Sequence, residues 1–119
     1  MPTYKDAGVD IPAADDAKSA FKKILNRGDP RVLNSVGAFA SLVEGTFKNY
    51  REPVLVLKTE EPGSKQKLAF EHGFIPSICH DTINHLINDI AVMGALPLYV
   101  QNAIICGKLE KNVVEKIVE

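Results

Sequence analysis

The residues with the clearest capacity for chemistry sit in one short loop, Thr59-Glu60-Glu61-Pro62-Gly63-Ser64-Lys65. Gly63 permits close backbone approach, Ser64 offers a hydroxyl, and Lys65 puts a mobile positive charge beside a helix start. Those ingredients suit a phosphate group. Glu60 and Glu61 add hard oxygen donors, the type magnesium prefers when it accompanies nucleotide phosphates. The pattern is not a Walker loop, and a solvated charged turn has the same composition.

A second set lies between Asp81 and Met93. At about 100° per residue, Asp81, His85, Asn88 and Asp89 share one side of a helix, opposite Ile83, Leu86, Ile87, Ile90 and Met93. Two carboxylates on one stripe with an amide between them can ligate magnesium or orient a nucleotide. An ordinary solvated face reads the same way. His72, His80 and His85 are not paired at the i, i+4 spacing that places two imidazoles together, so metal binding by histidine is not expected. Cys79 and Cys106 form no CxxC pair and have no local base. They read as small core residues of a protein in a reducing compartment. Lys5, with Asp6 and Asp10 in a glycine-containing arm, can close over an anion or simply fray.

These groups need elements to hold them. Residues Met1 to Ala14, with Pro2, Gly8 and Pro12, read as an N-terminal arm. A helix is expected from Asp15 or Asp16, ended by Arg27-Gly28-Asp29-Pro30 with Gly28 as its left-handed cap. Val32 to Phe47 reads as a glycine-loosened strand and turn, and Pro53 to Leu57 as a short buried strand. A short helix over Ser64–His72 stops at Gly73, with Ile75 to Cys79 as a connector. The strongest helix runs from Asp81, as N-cap, to Met93, and Gly94 closes it. Pro97 to Cys106 is rich in β-formers, and a last helix starts at Lys111. Strands alternating with amphipathic helices predict an α+β or layered α/β fold.

Composition narrows the partners. The chain has 119 residues, 45% of them hydrophobic, which is enough for one core. Basic and acidic residues number 14 and 15, a formal net charge of -1, so neither nucleic acid nor an anionic membrane is an expected partner. No run approaches the length of a membrane span, and the start lacks a secretory pattern. A cytoplasmic location is the expectation.

Three segments carry a resemblance. Tyr4-Lys-Asp-Ala-Gly-Val-Asp-Ile11 resembles the N-terminal signature of phosphoribosylformylglycinamidine cyclo-ligases, also called aminoimidazole ribonucleotide synthetases. Asn88-Asp89, with Gly94-Ala95 and Pro97-Leu98, is similar to that family's Asn-Asp…Gly-Ala-x-Pro-Leu run. Gly107-Lys108-Leu109 is similar to the Gly-Lys-Leu after its next strand. The resemblance implies a small mixed sheet flanked by helices, used for dimerisation in a homodimer. It implies a ligase of purine biosynthesis that takes ATP, Mg2+ and formylglycinamidine ribonucleotide. ATP activates the amide oxygen, an internal nitrogen closes the imidazole ring, and ADP and phosphate leave.

Carried onto this sequence, the resemblance assigns Lys5, Thr59, Gly63, Ser64, Lys65 and Asn88 to ATP or its phosphates. It assigns Glu60, Asp81 and Asp89 to the metal. Lys58 stands where the family has Gly, Glu60 where it has Asp, Glu61-Pro62 where it has Gly-Val, and Ser64 where it has Thr. The extra methylene of Glu60 moves its oxygens by about 1.5 Å, which matters for magnesium's strict geometry. Residues 15–119 read as an incomplete N-terminal synthetase-like domain, with the C-terminal domain absent and the chain alone too short for activity. A non-catalytic dimerisation or partner-binding module is the alternative.

Overall fold

A computed structural model describes residues 3–25 and 29–119. Among them are four helices, α1 (Ile11–Leu25), α2 (Lys65–Glu71), α3 (Ile75–Val92) and α4 (Lys111–Val118). The chain divides into two compact units, Met1–Phe47 with Ile104–Glu119, and Lys48–Ala103.

In the first unit α1 packs against α4, and each contributes a buried residue, Ala17 and Val114. Helix α1 starts at Ile11, earlier than Asp15. Asp10 is the cause: its carboxylate accepts the Ala13 N–H at 3.1 Å and its carbonyl accepts the Ala14 N–H at 3.0 Å. Pro12 fits because first-turn N–H groups have no intrahelical acceptor to lose. The expected Arg27–Gly28 cap lies outside the described residues, as do Met1 and Pro2. At Gly8, φ is +87°, and a Cβ there would meet the Gly107 carbonyl oxygen at 2.6 Å. Only glycine fits that turn.

In the second unit α2 packs against α3. Gly73 and Gly94 follow these helices with φ of +74° and +72°, as expected of residues that stop a helix. Helix α3 begins at Ile75, six residues before Asp81. Pro76 opens the helix instead of breaking it, and Ile75 and Ile78 supply its buried contacts. Asp81 is therefore not an N-cap but an interior residue of the polar face.

The expected mixed sheet is not formed. Among the described residues the β pairing is one isolated antiparallel bridge, Val32 to Val43, flanked by Leu33 N–H to Leu42 O at 2.8 Å and Glu44 N–H to Arg31 O at 2.7 Å. Pro53–Leu57 and Pro97–Cys106 are irregular, and neither joins a ladder. Their side chains are open to solvent: Val54 is 85% exposed and Ile105 97%. An extended segment has to find its hydrogen-bond partners on another strand, whereas a helix finds them within itself. The apolar, β-branched composition of these runs is present, but among the described residues neither run pairs into a ladder. The dimer surface built on that sheet falls with it. Cys106 is likewise exposed, not a core residue, while Cys79 is half-buried and burial pushes its thiol up.

Candidate functional site

Helix α3 is the scaffold of the charged residues. Ile75 and Ile78 are buried, and Thr82 Oγ1 donates to the Ile78 carbonyl at 2.8 Å. Positions 78, 82, 85 and 89 recur at helical spacing, so His85 and Asp89 continue the stripe of Ile78 toward the C-terminal end of α3, with Asp81 and Asn88 at its edge.

The loop before α2 comes back to this face. Lys58 Nζ lies 2.9 Å from Asp89 Oδ2 and 3.0 Å from Glu60 Oε2, so one ammonium bridges two carboxylates from segments far apart in sequence. His85 Nε2 is 3.6 Å from the same Asp89 oxygen, an ion pair only when the ring is protonated. Donor atoms of Glu60, His85 and Asp89 all lie within 4.8 Å of one another. Lys58, Glu60 and Asp89 keep about a third of their side-chain surface exposed. Each perturbs the others. Lys58 holds the Asp89 and Glu60 carboxyls below their ordinary values, helped at Glu60 by the Glu61 N–H. Asp89 first, then Glu60, holds the Lys58 ammonium above its own.

A second, simpler pair sits on the same helix. Lys65, the first residue of α2, is paired with Asp81, both side chains half-exposed. Asp81 precedes Asp89 by eight residues, about 12 Å along the axis, so the two carboxylates do not share a cation. The Lys65–Asp81 pair borders an open groove of about 420 Å³ between α2 and α3, walled by Leu68, Ala69, Phe74 and Ile78.

The remaining expected residues are placed as follows. Gly63 turns the chain into α2 with φ of +70°, and Ser64 holds the N-cap position without a side-chain cap bond. Thr59 and Asn88 are exposed beside the Lys58 cluster in sequence. Lys5 pairs with Asp10 at 3.1 Å within the first unit. The structure thus brings together Glu60 with Asp89 and Lys65 with Asp81, while Asp81 stands apart from the other two acids.

The loop and α3 both fall in the segment that matches a family model. Residues 51–119, more than half of the chain, match the model described as AIR synthase related protein, N-terminal domain. The chain belongs to this family. Its similarity to curated proteins extends further toward the N-terminus. It is 40% identical over 117 residues to the phosphoribosylformylglycinamidine cyclo-ligase of Aromatoleum aromaticum, covering 98% of this chain and 33% of that protein. The cyclo-ligase of Chromobacterium violaceum is 42% identical over 109 residues, or 91% of this chain and 31% of its own length. That of Magnetococcus marinus is 36% identical over 118 residues, or 98% and 33%. The chain therefore spans about a third of the length of the curated relatives it matches. No solved structure gives a significant match.

As a member of the AIR synthase related family, the chain invites a test of whether its acids fit a magnesium ion. The donors are right in kind, since carboxylate oxygens are what magnesium takes. The place is wrong. Magnesium needs oxygens at about 2.0–2.1 Å in octahedral array, and here the oxygens of Glu60 and Asp89 stand about an ammonium at 3.0 and 2.9 Å. Asp81, the third expected ligand, is engaged with Lys65. As arranged, the cluster holds an amine and not a dication.

Two members of this cluster were not among the expected site residues. Lys58 is visible in the sequence only as a lysine at a glycine position of the family pattern. His85 is on the polar stripe, and its i, i+4 relation to Asp89 was the available signal, overlooked because only histidine pairs were sought.

Proposed function

We propose that this chain forms part of the nucleotide-handling domain of an ATP-dependent ligase that closes the imidazole ring of aminoimidazole ribonucleotide from formylglycinamidine ribonucleotide, in the cytoplasm. The observation that carries the proposal is the family match over 51–119, which contains both the loop 58–65 and the α3 face where its charges converge.

The chemistry explains why cationic side chains are wanted here. Ring closure must expel an amide oxygen, and phosphate leaves far more readily than hydroxide. Phosphoryl transfer is catalysed mainly by positioning and by offsetting charge. In this reading Lys65 and Lys58 meet the triphosphate of ATP. Gly63 allows the backbone close to it, Thr59 and Ser64 offer hydroxyls, and Asn88 an amide. Lys5 belongs to the same assignment from the arm. The complete protein is proposed to act as a homodimer, with magnesium entering as the partner of the nucleotide phosphates.

ATP binding to the chain, followed by calorimetry, tests the reading at its first step. Weaker binding is expected for Lys65→Ala, with helix content unchanged. Ring closure by the full-length protein tests the second step. A chain that self-associates yet shows no nucleotide affinity, in a full-length protein that closes no ring, would instead mark a dimerisation or partner-binding module.

A further inference from the structure

The misfit between the acids and a magnesium ion has its own explanation in Lys58. We infer that the Lys58 ammonium is the resident cation of the Glu60–Asp89 pair and keeps divalent metal out of it. The inference deepens the reading of this surface as a nucleotide site but does not depend on nucleotide binding.

Geometry supports it first. Lys58 Nζ is within hydrogen-bond distance of both carboxylates, 3.0 Å from Glu60 and 2.9 Å from Asp89. An ammonium has three N–H donors, so it can serve both acids at once. A dication on the same oxygens would have to draw them in by almost 1 Å each and expel the amine. Charge supports it second. Two carboxylates alone present a charge of -2 to a metal; with Lys58 among them the local sum is -1, and the amine repels the incoming ion at close range. The groups that face Asp89 from the loop and from its own helix are Lys58, Glu60 and His85. When protonated, His85 adds further repulsion.

Lys58 is thus a specificity-determining residue: it sets whether this pair of acids meets an amine or a metal. The chain itself offsets one of the two negative charges that a bound dication would offset in full. Salt weakens the effect only in part, since the groups are in direct contact and well inside a screening length.

Manganese alone is the probe, with free ion followed by electron paramagnetic resonance in the 119-residue chain. The natural chain and Lys58→Arg are expected to bind it weakly, since both keep the charge. Lys58→Met is expected to bind about tenfold more tightly or better, from removal of one unit charge at contact distance. Adding Asp89→Asn to Lys58→Met should cancel the gain. Equal affinity in the natural chain and Lys58→Met overturns the inference. Should Lys58→Met lose its helical circular dichroism, the natural chain alone still decides. Paramagnetic broadening of the Glu60 and Asp89 carboxyl signals at low manganese refutes the inference, and sharp signals support it. Loss of ATP binding with the manganese contrast intact would sink the proposed function and leave Lys58's role standing.

Discussion

The two units use charge in different ways. In the first, the ion pairs among the described residues join near neighbours: Lys5 with Asp10, Lys18 with Asp15, Arg31 with Asp29, Lys111 with Glu115. None of these four pairs spans more than five positions. In the second, Lys58 reaches Asp89 across thirty-one positions and Lys65 reaches Asp81 across sixteen. Local pairs trim helix ends and turns, and exposed ones contribute little to stability. Pairs between distant segments exist only when the fold has already brought those segments together. They therefore mark a place where the chain concentrates charge on purpose of position rather than of local propensity, and the second unit is where a site is to be sought.

The largest effect that can break this contrast is loss of the scaffold. Ile78 is 7% exposed and lies under the α2–α3 contact, so Ile78→Ala should destabilise the chain by about 2 kcal/mol, the low end for a buried isoleucine because it also walls an open groove. Hydrogen exchange should show protection lost over α2 and α3. Retained protection there would mean that α3 is held by something other than its buried face.

The first unit has its own weak point in backbone contact. Gly8→Ala must place a Cβ 2.6 Å from the Gly107 carbonyl at a φ of +87°. A cost of about 1–2 kcal/mol is expected from the left-handed backbone alone. Denaturant titration measures it, and an unchanged midpoint would show that the turn can be rebuilt.

A smaller effect sharpens the comparison inside the second unit. Asp89→Asn removes one of two anions that share Lys58, whereas Asp81→Asn dissolves a simple exposed pair. Amide exchange over residues 58–60 is expected to accelerate several-fold in the first variant and to stay unchanged in the second. Equal acceleration in both would erase the distinction between a shared cation and a surface pair.

The smallest effect is in pH. Asp89 and Glu60 are held below their ordinary values of 3.8 and 4.5 by Lys58. Their contribution to docking the loop is complete above those ordinary values and fades as pH falls through the lower folded ones. Lys58 is raised above 10.5, so its share is complete below that and fades as pH rises through its folded value. Carboxyl carbon titration by NMR should find Asp89 below 3.8, moving up in Lys58→Met. Asp29, whose carboxyl Arg31 brings down to about 2, is the control that should not move.

Much of the second unit was readable beforehand. Gly73 and Gly94 ended their helices as expected and α2 matched the predicted short helix to within a residue at each end, while in the first unit α4 began at Lys111. The polar stripe of α3 was legible from periodicity, as were Glu60 and Asp89 as acids of interest. What failed was non-local. Ile75 to Cys79 reads as a connector in the sequence, whereas it is the first turn of α3, opened by Pro76. The runs 53–57 and 97–106 were taken for strands because composition describes half of a ladder and never the other half.

The amino-acid order by itself determined α2, the start of α4, the glycine stops of α2 and α3 and the family, since each rests on residues within a turn or two of one another or on a pattern of types along the chain. Tertiary structure alone decided which acid met which lysine. A hydrogen bond within a helix has its partner assigned by chain geometry, but a salt bridge across thirty-one residues has its partner assigned only by packing. For that reason Lys58 is a plain departure from pattern in the sequence and the centre of the charged cluster in the fold.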